Sequence, residues 1–272
     1  MLFFNTLKLR NVNEPYKLIG PSFSRAKNYR FSIDETEICI GFPKHKSERN
    51  FPKSRNPKKT YQLDNYSLPS MIPSRKGWGS LLCASRVWDF YGPLFAGKMA
   101  TITMALTINS PKELKSDVSF FHPRSLEKLI GDYLSFRYKD EVDYNGQRWL
   151  APTDWQPLSI NQPQAAKFRA VSNYQANYYD RYLVTSISDT QLLVLSFNLS
   201  WNNVNPSNPN RSESHDISNM EQLCDDIMDS LEVKLSAKAL AQQQAALAGL
   251  KDTSLVSDYP PLKWEQKKEL TL

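Results

Sequence analysis

The sequence predicts an α+β fold with a mainly antiparallel sheet flanked by helices. Two observations carry this. Residues 80–108 and 181–201 alternate apolar and polar side chains on either side of a short turn, the pattern of β-hairpins. Residues 125–138 and 219–231 space their apolar side chains three and four apart, the stripe of an amphipathic helix. Strands joined by short turns pair antiparallel, because parallel pairing needs a crossover of about a dozen residues or more. A chain of 272 residues, 40% hydrophobic and 12% aromatic, can fill a sizeable core. The expected organisation is one domain over 1–250 and an extended polar tail over 251–272.

In chain order, Leu7 and Leu9 alternate with Thr6, Lys8 and Arg10 and predict a short strand. Tyr29, Phe31 and Ile33, then Ile38, Ile40 and Phe42, predict a pair of short strands or one bent strand around Asp34-Glu35. Residues 43–76 form a long polar segment with five prolines. Loops of that length are uncommon unless functional or disordered, which makes this one the first candidate for function. Leu81–Tyr91 and Lys98–Ile108 are read as a hairpin closed by Gly92–Gly97. Ala100, Ile102, Met104, Leu106 and Ile108 share one face of its second strand.

Pro123 opens the first helix, Ser125–Tyr138. Asp143–Gly146 is a turn, and Ala151–Pro157 a proline-bounded connector; Phe168–Tyr179 is strand-like. Arg181–Ile187 and Gln191–Trp201 form the clearest hairpin, expected to lie on a core with one face. A polar loop over 202–215 leads to Ser218-Asn-Met-Glu221, which matches a capping box. Beyond Leu231 the chain continues as one helix or breaks near Val233 into two, with Gly249 as a terminator.

The net charge of +6 is concentrated. Between Pro43 and Thr60 stand Lys44, Lys46, Arg49, Lys53, Arg55, Lys58 and Lys59 against Glu48 alone, so the rest of the chain is nearly neutral. Seven close cations repel one another, and this segment is the candidate partner-binding site. Phe51, Tyr61 and Tyr66 lie among or just beyond the cations, a mixture that also suits nucleic acid. The missing basic footprint elsewhere favours a protein partner. The alternative binding surface is acidic: Asp225, Asp226 and Asp229, expected on the solvated side of the second helix.

Known chemistries find little support. Glycine is scarce at 9 residues, and three His and three Cys cannot build a rich metal site, so neither metal nor cofactor is expected. Gly92-x-x-x-x-Gly97-Lys98 approaches a phosphate-binding loop, but Met99 replaces the hydroxyl residue and a strand pattern follows it. The enzymatic alternative is a hydrolase or transferase that gathers His122 with Asp140, Glu141 and Asp143. Cys39, Cys83 and Cys224 are odd in number and far apart, which suits buried free thiols in a reducing compartment. The N-terminus lacks a secretory pattern and no apolar run approaches a membrane span, so a cytoplasmic location is expected.

The run Tyr182–Ser200 followed by Ser218–Leu235 has a recognisable order: strand, tight turn, longer strand, polar loop, then a helix containing Ile227-Met-Asp-Ser230-Leu231. It resembles the end of PsbP/DcrB-like proteins, α/β/α sandwiches with a central antiparallel sheet. Such folds occur in chaperones and immunity-type proteins associated with bacterial type VI secretion. The resemblance covers about a fifth of the chain and transfers no functional residue. It implies a non-catalytic domain that neutralises a secreted toxin by binding it, with a secretion chaperone or adaptor as the related alternative.

Overall fold

The computed structural model describes residues 16–44, 54–63, 68–69, 77–92, 97–113, 119–143, 146–161, 163–175, 177–202 and 215–264. The expected strand at Leu7 and Leu9, the cations Lys46, Arg49 and Lys53, and most of the 202–215 loop lie outside these residues.

The elements in order are β1 (Tyr16–Lys17), a 3-10 turn (Phe23–Arg25), β2 (Lys27–Ile33), β3 (Thr36–Phe42), β4 (Thr60–Tyr61), β5 (Trp78–Tyr91) and β6 (Lys98–Pro111). Then come α1 (Pro123–Tyr138), β7 (Val142–Asp143), β8 (Gly146–Gln147), β9 (Trp149–Ser159), β10 (Gln164–Ser172), β11 (Tyr178–Ser188) and β12 (Gln191–Trp201). The last are β13 (His215–Asp216), α2 (Ser218–Asp229), β14 (Glu232–Lys234) and α3 (Ala237–Leu247).

A six-stranded antiparallel sheet in the order β5-β6-β12-β11-β10-β9 forms the middle layer. Both expected hairpins lie in it, and β6 pairs with β12 from Ala100↔Trp201 to Asn109↔Leu192. Alternation sends its side chains into two separate cores. On one side Ile102, Met104, Leu106, Leu193, Leu195, Phe197 and Leu199 are buried with Phe31, Ile38, Phe42, Leu223, Cys224 and Ile227. On the other, Tyr182, Val184, Leu192 and Val194 pack with Leu126, Ile130, Tyr133 and Leu134 of α1. The 181–201 hairpin thus has a core on both faces, not one.

The first core is covered by α2, α3 and a small mixed sheet in the order β14-β3-β2-β4. The sequence pattern predicts flanking helices alone. The second sheet arises because β2 and β3 each have one apolar face that must be buried, with Phe31, Ile33, Ile38, Ile40 and Phe42 pointing inward. The chain after β3 then lays β4 parallel to β2 at Ser32↔Thr60 and Ile33↔Tyr61. β1 and β13 also pair in parallel. β1 and β13 stand nearly two hundred residues apart, and β2 and β4 are separated by β3 and the polar segment after it, so these pairings lie beyond the hairpin argument.

Sheet edges are guarded. Along β5, Arg55 exchanges both backbone bonds with Ser85, and Ile19 does so with Tyr91. The supposed connector 151–157 is part of β9, the opposite edge strand, where Pro152 and Pro157 need no ladder partner for the missing N–H. Two register shifts opposite β10 absorb its irregularity.

Two further differences concern the C-terminal part. Ser218 is the first residue of α2, not its cap; Asp216 Oδ1 accepts from the Ser218 amide at 2.9 Å, and Glu221 reaches Tyr179 instead of turning back. Residues 219–250 form two helices, separated by β14, which pairs with β3. Ser236 caps α3, and Gly249 follows it at φ +76°. The described part of the tail, 251–264, is extended, as expected, but it is bound as a strap across α1 and the β9 edge. Leu255 is buried, and Trp155 Nε1 donates to Val256 O at 2.8 Å. The Leu262 amide donates to Ala151 O, and Trp264 Nε1 to Ser135 Oγ. Gly131 leaves room for the Tyr259 hydroxyl, which a Cβ there would meet at 2.7 Å. Among the described residues no helix is long and apolar enough to cross a membrane.

Candidate functional site

The small sheet carries the concentrated charge. Its two long strands meet at Asp34 and Glu35, with φ of +44° and +68°, the backbone of a two-residue hairpin turn in which Asp is well tolerated. The Asp34 carboxylate then accepts from the Leu63 amide at 2.7 Å, and the Asp34 amide donates to Tyr61 O. The polar segment is thereby fastened back onto the turn.

A buried cation holds the rest of it. Arg86, only 2% exposed, lies in β5 among apolar neighbours. Its guanidinium donates to Arg55 O at 2.7 Å, to Ser85 O at 2.8 Å and to Asn56 Oδ1 at 2.6 Å, and stacks on the rings of Tyr29 and Phe42. Carbonyl oxygens and aromatic faces thus solvate it in place of water. Tyr61 adds a second fastening. Its hydroxyl donates to Cys83 O and accepts from the Lys58 amide, and burial raises its pKa above the usual tyrosine range. The stretch 54–63 is therefore anchored, where the sequence suggests a mobile loop.

Anchoring the backbone leaves the cationic side chains outside. Lys44, Arg55, Lys58 and Lys59 are all exposed, as are Arg25, Lys27 and Arg30. Over the described part of 23–63 these seven face only Asp34, Glu35 and Glu37. Among the described residues no carboxylate pairs with Lys44, Arg55, Lys58 or Lys59.

The alternative acidic face is differently disposed. Asp225 pairs with Arg181 of β11, at 2.5 Å to Nη2 and 3.3 Å to Nη1. Asp229 pairs with Lys167 at 2.5 Å, and Asp226 accepts from Gln222. Glu221 accepts from the Tyr179 hydroxyl and pairs with Arg169 at 3.1 Å. Asp225 and Asp229 therefore serve to staple α2 onto β10 and β11. The helix phase is as expected, with Met220, Leu223, Cys224 and Ile227 buried.

His122, Asp140, Glu141 and Asp143 are not brought together. His122 precedes α1, whereas the three acids follow its far end. A 16-residue helix, ~24 Å long at 1.5 Å per residue, separates them. Glu141 accepts from Trp149 Nε1 at 2.6 Å. The Gly92 amide is bonded to Gly97 O at the end of the β5–β6 pair, and Lys98 opens strand β6 rather than a helix. No group of three His, Cys, Asp or Glu among the described residues is placed to hold a metal ion. Cys83 and Cys224 are buried; burial pushes the Cys83 thiol up to about 12 and the Cys224 thiol well above its usual value. Cys39 is half-buried, on the outer face of the small sheet.

Sequence reasoning missed a buried polar cluster in the second core. Asp180 accepts from the hydroxyls of Tyr138 and Tyr182 and from Asn198 Nδ2. Burial pushes its carboxyl up, against the pull of these hydrogen bonds. Tyr138 also stacks near Trp149 and Trp264, so the cluster joins α1, β11, β12 and the strap. Its only sequence signal is a carboxylate beside Tyr178-Tyr179 in a strand.

No family model matches this chain, and neither a curated protein nor a solved structure matches it.

Proposed function

We propose that this chain is a non-catalytic protein-binding domain that engages an acidic partner through the small-sheet layer. The observation that carries the proposal is the combination at residues 54–63: a backbone fixed by Arg86 and Tyr61 beneath exposed Arg55, Lys58 and Lys59. Fixing the backbone beforehand lowers the ordering cost of binding, and unopposed surface cations accelerate encounter with an acidic face. The order of elements from Tyr182 to Leu235 supports a PsbP/DcrB-like relationship, and with it the role of an immunity protein occupying a secreted bacterial toxin.

The test is association kinetics. The full chain is used to isolate its partner from the native host, with and without the neighbouring genes expressed. Wild type and the triple variant Arg55→Ser, Lys58→Ser, Lys59→Ser are then compared at low and moderate salt. The expected loss is on the order of tenfold in association rate at low salt, narrowing as salt rises. An unchanged rate at both salt concentrations overturns the reading.

A further inference from the structure

The outer face of the small sheet forms an open groove of ≈ 520 Å³. Resting on the protein-binding reading above, we propose that this groove receives an extended acidic segment of the partner, with carboxylates at alternate positions meeting Arg30 and Lys59.

Strand register sets the floor. In one row Arg30 faces Cys39, which faces Glu232. In the next, Lys234 and Glu37 pair at 3.6 Å, and Ser32 lies between Glu37 and Thr60. The Lys234–Glu37 pair cancels its own charge. What remains is Arg30 and Lys59 on the β2–β4 side and Glu232 on the β14 edge. The groove is therefore polarised, positive on the flank that adjoins the basic segment. Ser32 and Thr60, hydrogen-bonded to each other at 3.4 Å, keep that flank low with short side chains.

An extended chain places the side chains at i and i+2 on one face, roughly 6.6 Å apart, close to the spacing of the rows along these strands. Two such carboxylates meet Arg30 and Lys59 while the intervening residue faces away. A basic segment would set like charges against both cations. Charge complementarity thus selects the acidic occupant and rejects its basic counterpart.

Cys39 lies in the groove and, of the three thiols, is the one not fully buried, which makes it a reporter. The rate of its alkylation by iodoacetamide, a neutral reagent, is measured in the folded full chain. The probe is a capped peptide alternating Thr and Glu, and its control carries Lys in place of Glu. At low salt and about 5 mM peptide, the Glu peptide is expected to slow alkylation about threefold and the Lys peptide not at all. The double variant Arg30→Gln, Lys59→Gln is expected to lose the protection, and Glu232→Gln to increase it. No slowing by the Glu peptide, equal slowing by the Lys peptide, undiminished protection in the double variant, or weaker protection in E232Q each overturns the assignment. Such a result leaves the wider reading to its own test, because Arg55 and Lys58 do not line the groove and the double variant Arg55→Ser, Lys58→Ser probes the association rate without touching it.

Discussion

Leu255→Ala measures how firmly the C-terminal strap is bound. Leu255 is 6% exposed and packs into the core between α1 and the large sheet. Truncating a buried leucine costs ~2–5 kcal/mol, from lost transfer energy and the cavity left behind. Here a ceiling applies. If the mutated strap detaches, the loss cannot exceed the free energy that holds it in place. Beside the apolar burial of Leu255, four hydrogen bonds contribute to that free energy: Val256 amide to Glu127, Trp155 to Val256 O, Leu262 amide to Ala151 O and Trp264 to Ser135, each 2.7–2.9 Å. The Trp155–Tyr259 ring contact, 5.0 Å between centroids, adds to them. At about 1 kcal/mol net per hydrogen bond, and with ordering entropy opposing, the ceiling lies near the lower end of the leucine range. The expected loss is about 2–3 kcal/mol, or a urea midpoint lower by about 1 M for a slope near 3 kcal/mol/M. The assay is urea unfolding followed by tryptophan fluorescence and circular dichroism, with exposed Lys263→Ala as control. Hydrogen exchange at the Val256 and Leu262 amides reports the strap locally. A midpoint shift below ~0.1 M, with both amides exchanging freely in the wild type, would refute the strap.

Other predictions follow from the same contacts. Asp216→Ala should destabilise by about 1 kcal/mol by freeing the Ser218 amide, whereas Ser218→Ala should cost less; equal losses in thermal unfolding would restore the capping box. Asp180, whose folded carboxyl is raised by burial, contributes stability that is fully present below about pH 3.8 and is lost as pH rises through its folded value. The wild type should therefore gain on Asp180→Asn as pH falls from neutral towards 4, and a pH-independent difference in midpoints would contradict this. Tyr61→Phe removes the bonds to Cys83 O and the Lys58 amide, so trypsin should cut at Lys58 and Lys59 several-fold faster; an unchanged rate would show that Arg86 alone anchors the segment.

Legibility followed the range of the interactions. The two long hairpins and the α2 stripe could be read because their periodicity is local and one face of each is strongly apolar. β14 could not: it has one inward side chain, Val233, and pairs with β3 nearly two hundred residues earlier. The strap shows neither helix nor strand period: Leu255, Tyr259, Leu262 and Trp264 pack irregularly against the second core, Tyr259 on Trp155 of β9 and Trp264 near Tyr138 of α1. The candidate site was legible as composition and not as geometry. The cations at 44–59 are visible in the sequence, whereas their anchor is Arg86, whose signal is a lone arginine inside the apolar strand Leu81–Tyr91. Asp225 and Asp229 look like a solvated face because Arg181 and Lys167 belong to strands distant in sequence.

This last contrast favours the basic segment over the acidic face in the proposed binding. A basic partner docking on α2 would have to draw Asp225 away from Arg181, whose side chain is 11% exposed, and Asp229 away from Lys167. Removing one partner of a fully buried pair costs ~3–5 kcal/mol; with Asp225 40% exposed, solvent screening reduces this to on the order of 1–3 kcal/mol. Each new contact would thus begin from a deficit, and the loosened helix would give up part of its hold on the first core. The small-sheet cations carry no such debt, because Arg55, Lys58 and Lys59 have no carboxylate partner among the described residues to surrender. Attraction from an acidic face therefore counts almost fully towards binding there. The same reasoning separates the two charge sets: the pairs on β10 and β11 orient α2, and the cations beside β4 keep their charge for the proposed contact.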